Sequence, residues 1–324
     1  MDLPTVSVII PTVDRPTVRA AVMSALNQTC LPLEVIVVVD RSDGCVLQAL
    51  NELRDKIKVV FSGGVGPSGA RMYASLEANG EIIAFLDDDD TWFPEKLERQ
   101  LSMWPEGNAK KHTLISSRAV TIGPGGEVLR TVPTRLIAPG ERVASYLFRR
   151  SSIKYWEGAM HPSTLICDRD LLTVEPWDPS LLLHEDWDWV LRVGARHDVE
   201  ILMSPDVLTG MAIGDMKSLS RSADWRPSFS WLKRCAQQFT PRELGDFVLG
   251  HTAVIAIRFG DRRASLRLAG YALTKGRPGL YSWLVWLLNL ISPALVDRGS
   301  NALARASRKD RGVASAVERM WRPE

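Results

Sequence analysis

The first half of the chain alternates short apolar runs with stretches whose apolar residues recur at helical spacing. Val6-Ser7-Val8-Ile9-Ile10, Glu34–Asp40, Ile57–Phe61 and Ile82–Leu86 are apolar runs of strand length. Between them, Pro16–Asn27 carries Val18, Ala21, Val22 and Leu26 on one side, with Pro16 suited to a first turn. Cys45–Leu53 reads as a short helix, and Ser68–Asn79 as a helix closing at Gly80. Runs that are apolar on both faces suit parallel strands covered by helices. Strand–helix alternation with short loops predicts an α/β protein with a doubly wound sheet. Farther on, Thr113–Ile122 and Val207–Ile213 read as strands, Gly140–Arg150 and Glu185–Arg196 as helices, and the chain from Trp225 onward as helical.

The fourth apolar run ends in Asp87-Asp88-Asp89-Asp90. Four adjacent carboxylates repel one another, more strongly where water is excluded. Two arrangements relieve this. The acids can sit in a solvated turn, with Asp90 or Thr91 capping a helix that starts near Pro94. Alternatively they hold a divalent cation, since Mg²⁺ and Mn²⁺ prefer carboxylate oxygens. Their position favours the cation, because open α/β sheets bind ligands beyond the carboxyl ends of their strands. Asp14 and Asp40 also follow strand ends and can converge on the same rim. The loop Gly63-Gly64-Val65-Gly66-Pro67-Ser68-Gly69 lacks the Lys-Ser/Thr ending of a P-loop and the spacing of a dinucleotide fingerprint. It reads as a flexible turn into a helix.

Composition adds a charge asymmetry. The net charge is only +2, but residues 217–324 carry 19 Lys+Arg against 8 Asp+Glu, leaving 21 against 30 for residues 1–216. A basic tail on an acidic body points the tail toward something anionic. An acidic body would repel nucleic acid, so no nucleic-acid partner is expected. The four cysteines form no CxxC pair, which argues against zinc and fits a reducing compartment. No basic n-region precedes Val6–Ile10, and that run is too short for a signal peptide, so the expected location is cytoplasmic. Leu280–Val296 has 17 residues without a charge, at or below the length for spanning a membrane, and Pro293 interrupts it. Arg277 precedes it, and Arg298, Arg305, Arg308, Lys309 and Arg311 follow. Two readings stay open: an interfacial helix on the cytoplasmic face of an anionic membrane, through 277–311, or a helix buried against the rest of the chain or in a dimer. The basic loop Lys217–Ser222 is either a closure over phosphate or a plain exposed loop.

The ordered set of motifs resembles family 2 glycosyltransferases of the GT-A fold. The matching residues are Val6–Thr12; Val37–Asp40 with Ser42-Asp43-Gly44; Gly69-Ala70-Arg71; Asn79-Gly80-Glu81; Phe85–Asp90 with Trp92, Pro94, Lys96 and Leu97; His161-Pro162-Ser163; and His184-Glu185-Asp186-Trp187-Asp188-Trp189. The resemblance implies a mixed, mostly parallel sheet. It implies a catalytic domain over 1–222, with a nucleotide-sugar half (1–105) and an acceptor half (106–222). A basic helical extension over 223–324 follows. It implies that Pro11, Thr12, Asp14 and Asp40 line the base pocket, Arg71 supports base or phosphate, and Asp87 and Asp88 lie near the ribose. Asp89 would bind the metal, Mn²⁺ or Mg²⁺, and Asp186 of the Glu185-Asp186 pair would be the general base of an inverting transfer. His161, His184 and Trp187 would lie on the acceptor side. The donor would be a UDP- or GDP-type sugar, and the acceptor a glycan or lipid-linked hydroxyl. Arg41, where a second Asp is common, and Met72, where Asn is usual, depart from the pattern.

The chemistry is coherent without the resemblance. A leaving diphosphate needs its charge neutralised, and an acceptor hydroxyl needs a carboxylate to take its proton. Trp156, Trp177, Trp187 and Trp189 are candidates for stacking on sugars, or else core filler. His161, His184 and the acids at the start of the Glu185 helix have equally ordinary structural readings. Two other functions compete. Asp87-x-Asp89-x-Thr91 also matches the nucleophile motif of haloacid-dehalogenase-like phosphatases, but three strand–helix units precede it here. A non-catalytic nucleotide-sugar binder would not need both Asp89 and Asp186.

Overall fold

The structure is a computed structural model that describes residues 4–13, 15–41, 44, 48–105, 107, 110–154, 156–213, 224–293 and 296. Asp14, Ser42, Asp43, Lys217–Ser222 and the basic residues Arg298–Arg311 lie outside the described residues, as does the start of the expected helix at Cys45.

The elements run β1 (Val6–Thr12), α1 (Val18–Leu26), β2 (Glu34–Val39), β3 (Lys58–Phe61), α2 (Gly66–Leu76), β4 (Ile82–Phe85), β5 (Thr91–Trp92), α3 (Lys96–Leu101), β6 (His112–Ile122), β7 (Val128–Val132), α4 (Val143–Phe148), β8 (Ile166–Asp168), α5 (Arg169–Val174), α6 (Glu185–Gly194) and β9 (Val199–Ala212). Helices α7 (Arg226–Arg234), α8 (Pro241–Phe247), α9 (Ala253–Arg258), α10 (Arg262–Lys275) and α11 (Leu280–Ile291) follow. Residue contacts divide the chain into two units, one of residues 4–131 and 160–213, the other of 132–159 and 224–293.

In the first unit the sheet order is β3-β2-β1-β4-β8-β6-β9-β5, with β7 on β6. Strands β3, β2, β1 and β4 are parallel, β8 is antiparallel to both β4 and β6, and β6 and β9 are parallel. This is the mixed, mostly parallel sheet expected. Register places Thr12 opposite Val39 and Ile9 opposite Phe85. The carboxyl ends of β1, β2 and β4 therefore share one rim, and Asp40 and Asp87–Asp90, which follow β2 and β4, are carried to it. Beneath the rim, Val18, Ala21, Val22 and Ala25 of α1 pack with Val8, Ile10, Val35, Val37, Ile82 and Ala84 in one apolar core.

Strand β9 begins eight residues before the expected Val207, because it pairs with β6 along its whole length, from His112↔Val199 to Ile122↔Ala212. The register slips between Ser117↔Ser204 and Arg118↔Val207. Pro205, which has no N–H for a ladder, falls in that slip. The expected helix Gly140–Arg150 shrinks to α4, since Arg142 and Arg149 on either side are extended and Gly140 has φ +74°. Lys96, at the start of α3, is fully buried. Its ammonium lies 4.2 Å from the centre of the Trp92 ring and donates to Gln100 Oε1 at 2.5 Å.

The second unit is helical, with only α4 as regular helix in the segment 132–159. Phe148, Trp231, Phe239 and Phe247 form an aromatic cluster with centroid separations of 5.1–6.4 Å. Two buried acids of α8 tie its elements together. Glu243 completes a capping box with Thr240 and accepts from Ser145 Oγ at 2.5 Å. Asp246 accepts from Arg242 Nε, Gly279 N and Ser282 Oγ, each at 2.7 Å.

Candidate active site

The four acids at the end of β4 have separate partners. Asp87 Oδ1 accepts from Arg71 Nη2 at 2.6 Å, and its Oδ2 lies 3.8 Å from His161 Nε2. Asp88 accepts from Thr12 Oγ1 at 2.6 Å and from Arg15 Nη1 at 3.0 Å. Asp89 accepts from the same Arg15 nitrogen at 2.8 Å. Asp90 is buried and accepts from Ser163 Oγ at 2.5 Å and from Ala212 N at 3.1 Å. Asp90 is therefore not the helix cap, because its carboxylate turns into the fold and braces the acidic turn against Ser163 and the end of β9. The alternative of a solvated turn does not hold, since Asp88 and Asp90 are buried and Asp87 and Asp89 only partly exposed.

Electrostatics separate the four further. Burial pushes Asp87 up, but Arg71 and His161 outweigh it and hold the carboxyl below its usual range. Burial raises Asp88 despite Arg15 and Thr12. Asp89 is pushed up to about 7, first by burial and then by the Asp87 charge, with Arg15 opposing. Asp90 is raised well above the carboxylate range by burial and by Asp89 and Asp87. Burial lowers His161, and Asp87 partly offsets this.

These groups suit a divalent cation. One donor atom each from Asp87, Asp90 and His161 lies within 4.8 Å of the others, and the two carboxylate oxygens of that set suit Mn²⁺ or Mg²⁺, with the imidazole favouring Mn²⁺. Asp89 lies outside that trio and is held by Arg15. Three raised carboxyls in one turn, Asp88, Asp89 and Asp90, mark crowded negative charge that a cation would relieve. Arg15 was not among the residues singled out from the sequence. A single Arg that belongs to no motif offers no signal until the fold brings Arg15 against Asp88 and Asp89.

The rest of the rim is built from β1, β2 and α2. Asp40 Oδ1 accepts from Ser62 Oγ at 2.7 Å and Val65 N at 2.8 Å, and Oδ2 from Gly66 N at 3.1 Å. Three of a carboxylate's roughly four acceptor positions are thus used on the glycine loop. Gly63, Gly64 and Gly66 have φ of +78°, +85° and +79°, a run of left-handed backbone that glycine adopts without strain. The loop is an ordered turn braced by Asp40 at the amino end of α2. Pro11 is half-buried at the end of β1.

The Glu185-Asp186 pair opens α6. His184 precedes it with φ +61° and stacks on Trp187 at 4.5 Å between ring centres. Asp186 Oδ1 accepts from Trp187 N at 2.8 Å. Burial, and then the neighbouring Glu185, push Asp186 up to about 7. Arg71 connects this pair to the acidic turn, with Nη1 3.6 Å from Glu185 Oε1 and Nη2 on Asp87. The guanidinium is almost fully buried and stands 4.9 Å from the centre of the Trp177 ring. Its Nε and Nη1 make no hydrogen bond among the described residues. Trp177 and Trp189 are core residues, stacked on each other at 4.6 Å and packed edge-on to Phe85, and Trp156 is exposed in the other unit.

A rim of carboxylates fit for a cation, joined through Arg71 to the Glu185-Asp186 pair, lies at the carboxyl ends of the strands of an α/β sheet, where such sheets bind ligands. Residues 7–115 match the family described as glycosyl transferase family 2. The amylovoran biosynthesis glycosyltransferase AmsB of Erwinia amylovora is 25% identical over 305 residues, covering 90% of this chain and 98% of that protein. The β-1,3-glucosyltransferase WfgD of Escherichia coli, named for UDP-Glc and α-D-GlcNAc-diphosphoundecaprenol, is 38% identical over 111 residues, 33% of this chain and 44% of that protein. Among solved structures, S. aureus TarS 1-349 in complex with UDP-GlcNAc matches with a TM-score of 0.51 at 21% identity, over 97% of this chain and 90% of that one. The mannosyltransferase PcManGT from Pyrobaculum calidifontis, in complex with GDP-Man and Mn²⁺, matches with a TM-score of 0.50 at 18% identity, over 98% and 80%. Over residues 7–115 the chain is thus similar to the family 2 glycosyltransferases, and its sheet is of the GT-A type. The phosphatase and the non-catalytic binder are set aside accordingly.

Proposed function

We propose that the chain transfers a sugar from a UDP- or GDP-type donor to a hydroxyl of a glycan or lipid-linked acceptor, with inversion at the anomeric carbon. The observation that carries this reading is the shared guanidinium. Arg71 joins Asp87, on the donor side, to Glu185, next to the proposed base. Its Nε and Nη1 are buried and make no hydrogen bond among the described residues, so the guanidinium serves as fixed positive charge between the two sets of acids. Pro11, Thr12, Asp14 and the Asp40-braced loop would line the base pocket, with the one acceptor position left on Asp40 turned to the base edge. Asp87 and Asp88 would hold the ribose. Asp89, with Asp87, Asp90 and His161 grouped beside it, would hold the cation. That cation, when bound, supplies charge neutralisation to the leaving diphosphate.

Asp186 removes the acceptor hydroxyl proton as the oxygen attacks the anomeric carbon. The bond from that carbon to the diphosphate oxygen breaks on the opposite face, and the nucleoside diphosphate leaves with the electron pair. A base raised to about 7 is half ionised near neutral pH and still basic enough to accept a proton. The stacked His184 and Trp187 would flank the acceptor. A family whose relatives are named for amylovoran, teichuronic acid and undecaprenol-linked sugars supports an acceptor in cell-envelope polysaccharide synthesis, made at the cytoplasmic face of the membrane. The test is a panel of UDP- and GDP-sugars with Mn²⁺ and an acceptor hydroxyl, with product read by NMR. An inverted anomeric configuration that forms only with Mn²⁺ or Mg²⁺ is expected. A retained configuration, or full activity in the presence of chelator, overturns the proposal.

A further inference from the structure

Helix α11 turns apolar side chains outward where a helix that meets water carries polar ones. Its inward side holds Val285 and Trp286 together with polar groups: Ser282 donates to Asp246 at 2.7 Å, Trp286 Nε1 donates to Ser265 Oγ of α10 at 2.9 Å, and Asn289 is buried. Its outward side is a row of Leu280, Leu284, Leu287, Leu288 and Ile291, with Tyr281 beside it. Leu280 is 68% exposed and Ile291 74%. The spacing of four, three, one and three residues keeps this row on one helical face. Contiguous apolar exposure of this kind marks a surface that is covered by something.

Charge identifies the cover. Over residues 262–293 the sequence has five cations, Arg262, Arg263, Arg267, Lys275 and Arg277, and no acid. All five are exposed. In a two-fold contact between copies of this chain, each copy would bring the same cations to the same seam. An anionic lipid surface attracts them. Length excludes insertion across a bilayer: twelve residues span about 18 Å, and no helix among the described residues is long and apolar enough to cross a membrane. A short, uncharged leucine face with basic flanks lies in the headgroup layer.

We infer that α11 docks the chain flat on an anionic lipid bilayer through Leu280, Leu284, Leu287, Leu288 and Ile291, with the basic residues of α10 and Arg277 in contact with lipid phosphates. The inference extends the proposed reaction, because a lipid-linked acceptor is presented at such a surface, but it stands on the second unit alone. The experiment is flotation of the full chain with vesicles of phosphatidylcholine, with and without phosphatidylglycerol, for the parent and for Leu284→Glu/Leu288→Glu. Both leucines already face outward, so the variant keeps the fold, and its circular dichroism and donor hydrolysis in solution match the parent. The parent floats with anionic vesicles and less with neutral ones, and the variant loses binding by about tenfold or more. Equal flotation of parent and variant overturns the inference. So does a parent that ignores both vesicles, or one that sediments as a dimer which the variant dissolves without any lipid binding. Donor hydrolysis alone tests the proposed reaction, so its failure is distinguishable from loss of flotation.

Discussion

Asp186 shows how one side chain's surroundings set its chemistry. An ordinary aspartate is fully ionised at neutral pH and a weak base. Burial and Glu185 bring Asp186 to about 7. Transfer should therefore rise with pH through about 7, as the carboxylate form accumulates, and a pH profile of kcat/KM checks this. The same shift sets a stability trend of the opposite sign. Between the ordinary carboxylate pKa and about 7 the folded chain holds a proton that the unfolded chain has released, so this group's contribution falls as pH rises across that window. Asp186→Asn should be more stable than the parent at alkaline pH, by about 1–3 kcal/mol, and close to it below pH 4. Lys96 behaves in the opposite way. Burial lowers its pKa well below the lysine range, with the Trp92 face opposing. Below the ordinary lysine pKa the unfolded chain binds the proton more than the folded chain does, so stability should rise with pH as that range is approached. Lys96→Met should remove that slope in denaturant melts. Asp87–Asp90 and Glu185-Asp186 were legible because adjacent charges in a motif mark themselves. The bracing of Asp90 by Ser163 was not, since it joins residues 73 apart in sequence.

At the level of elements, the glycine loop between β3 and α2 is the most sensitive. Asp40 accepts from two of its backbone amides, and an N–H donor cannot be satisfied by the amide nitrogen of Asn. Asp40→Asn should weaken donor binding on the order of tenfold by loosening the loop while the sheet melts near the parent temperature, as calorimetric titration with a nucleoside diphosphate would measure. Gly66→Val should act more strongly, because φ +79° is strained for a β-branched residue. The parallel strands were legible from their unbroken apolar runs. The early start of β9 was not, because Pro205 reads as a break until the slip against β6 accommodates it. Nor was the shortness of α4, whose flanks are held extended at Arg142 and Arg149.

The whole chain combines an acidic transferase unit with a basic helical one. Apolar periodicity told the two halves apart, but it could not show that residues 132–159 group with the C-terminal helices, because that pairing rests on contacts such as Ser145 with Glu243, 98 residues apart. For the molecule as a whole, a cation that binds the folded rim and not the unfolded chain should raise the melting temperature in proportion to the logarithm of its concentration. Mn²⁺ should do so for the parent and much less for Asp89→Asn, as a thermal-shift titration would record. The most direct test of the account compares Asp186→Asn with the parent in a Mn²⁺-supported transfer assay, with donor affinity measured on the same samples. The account predicts transfer reduced by about 10²–10⁴-fold with donor affinity unchanged. A variant that transfers sugar at the parental rate would contradict it.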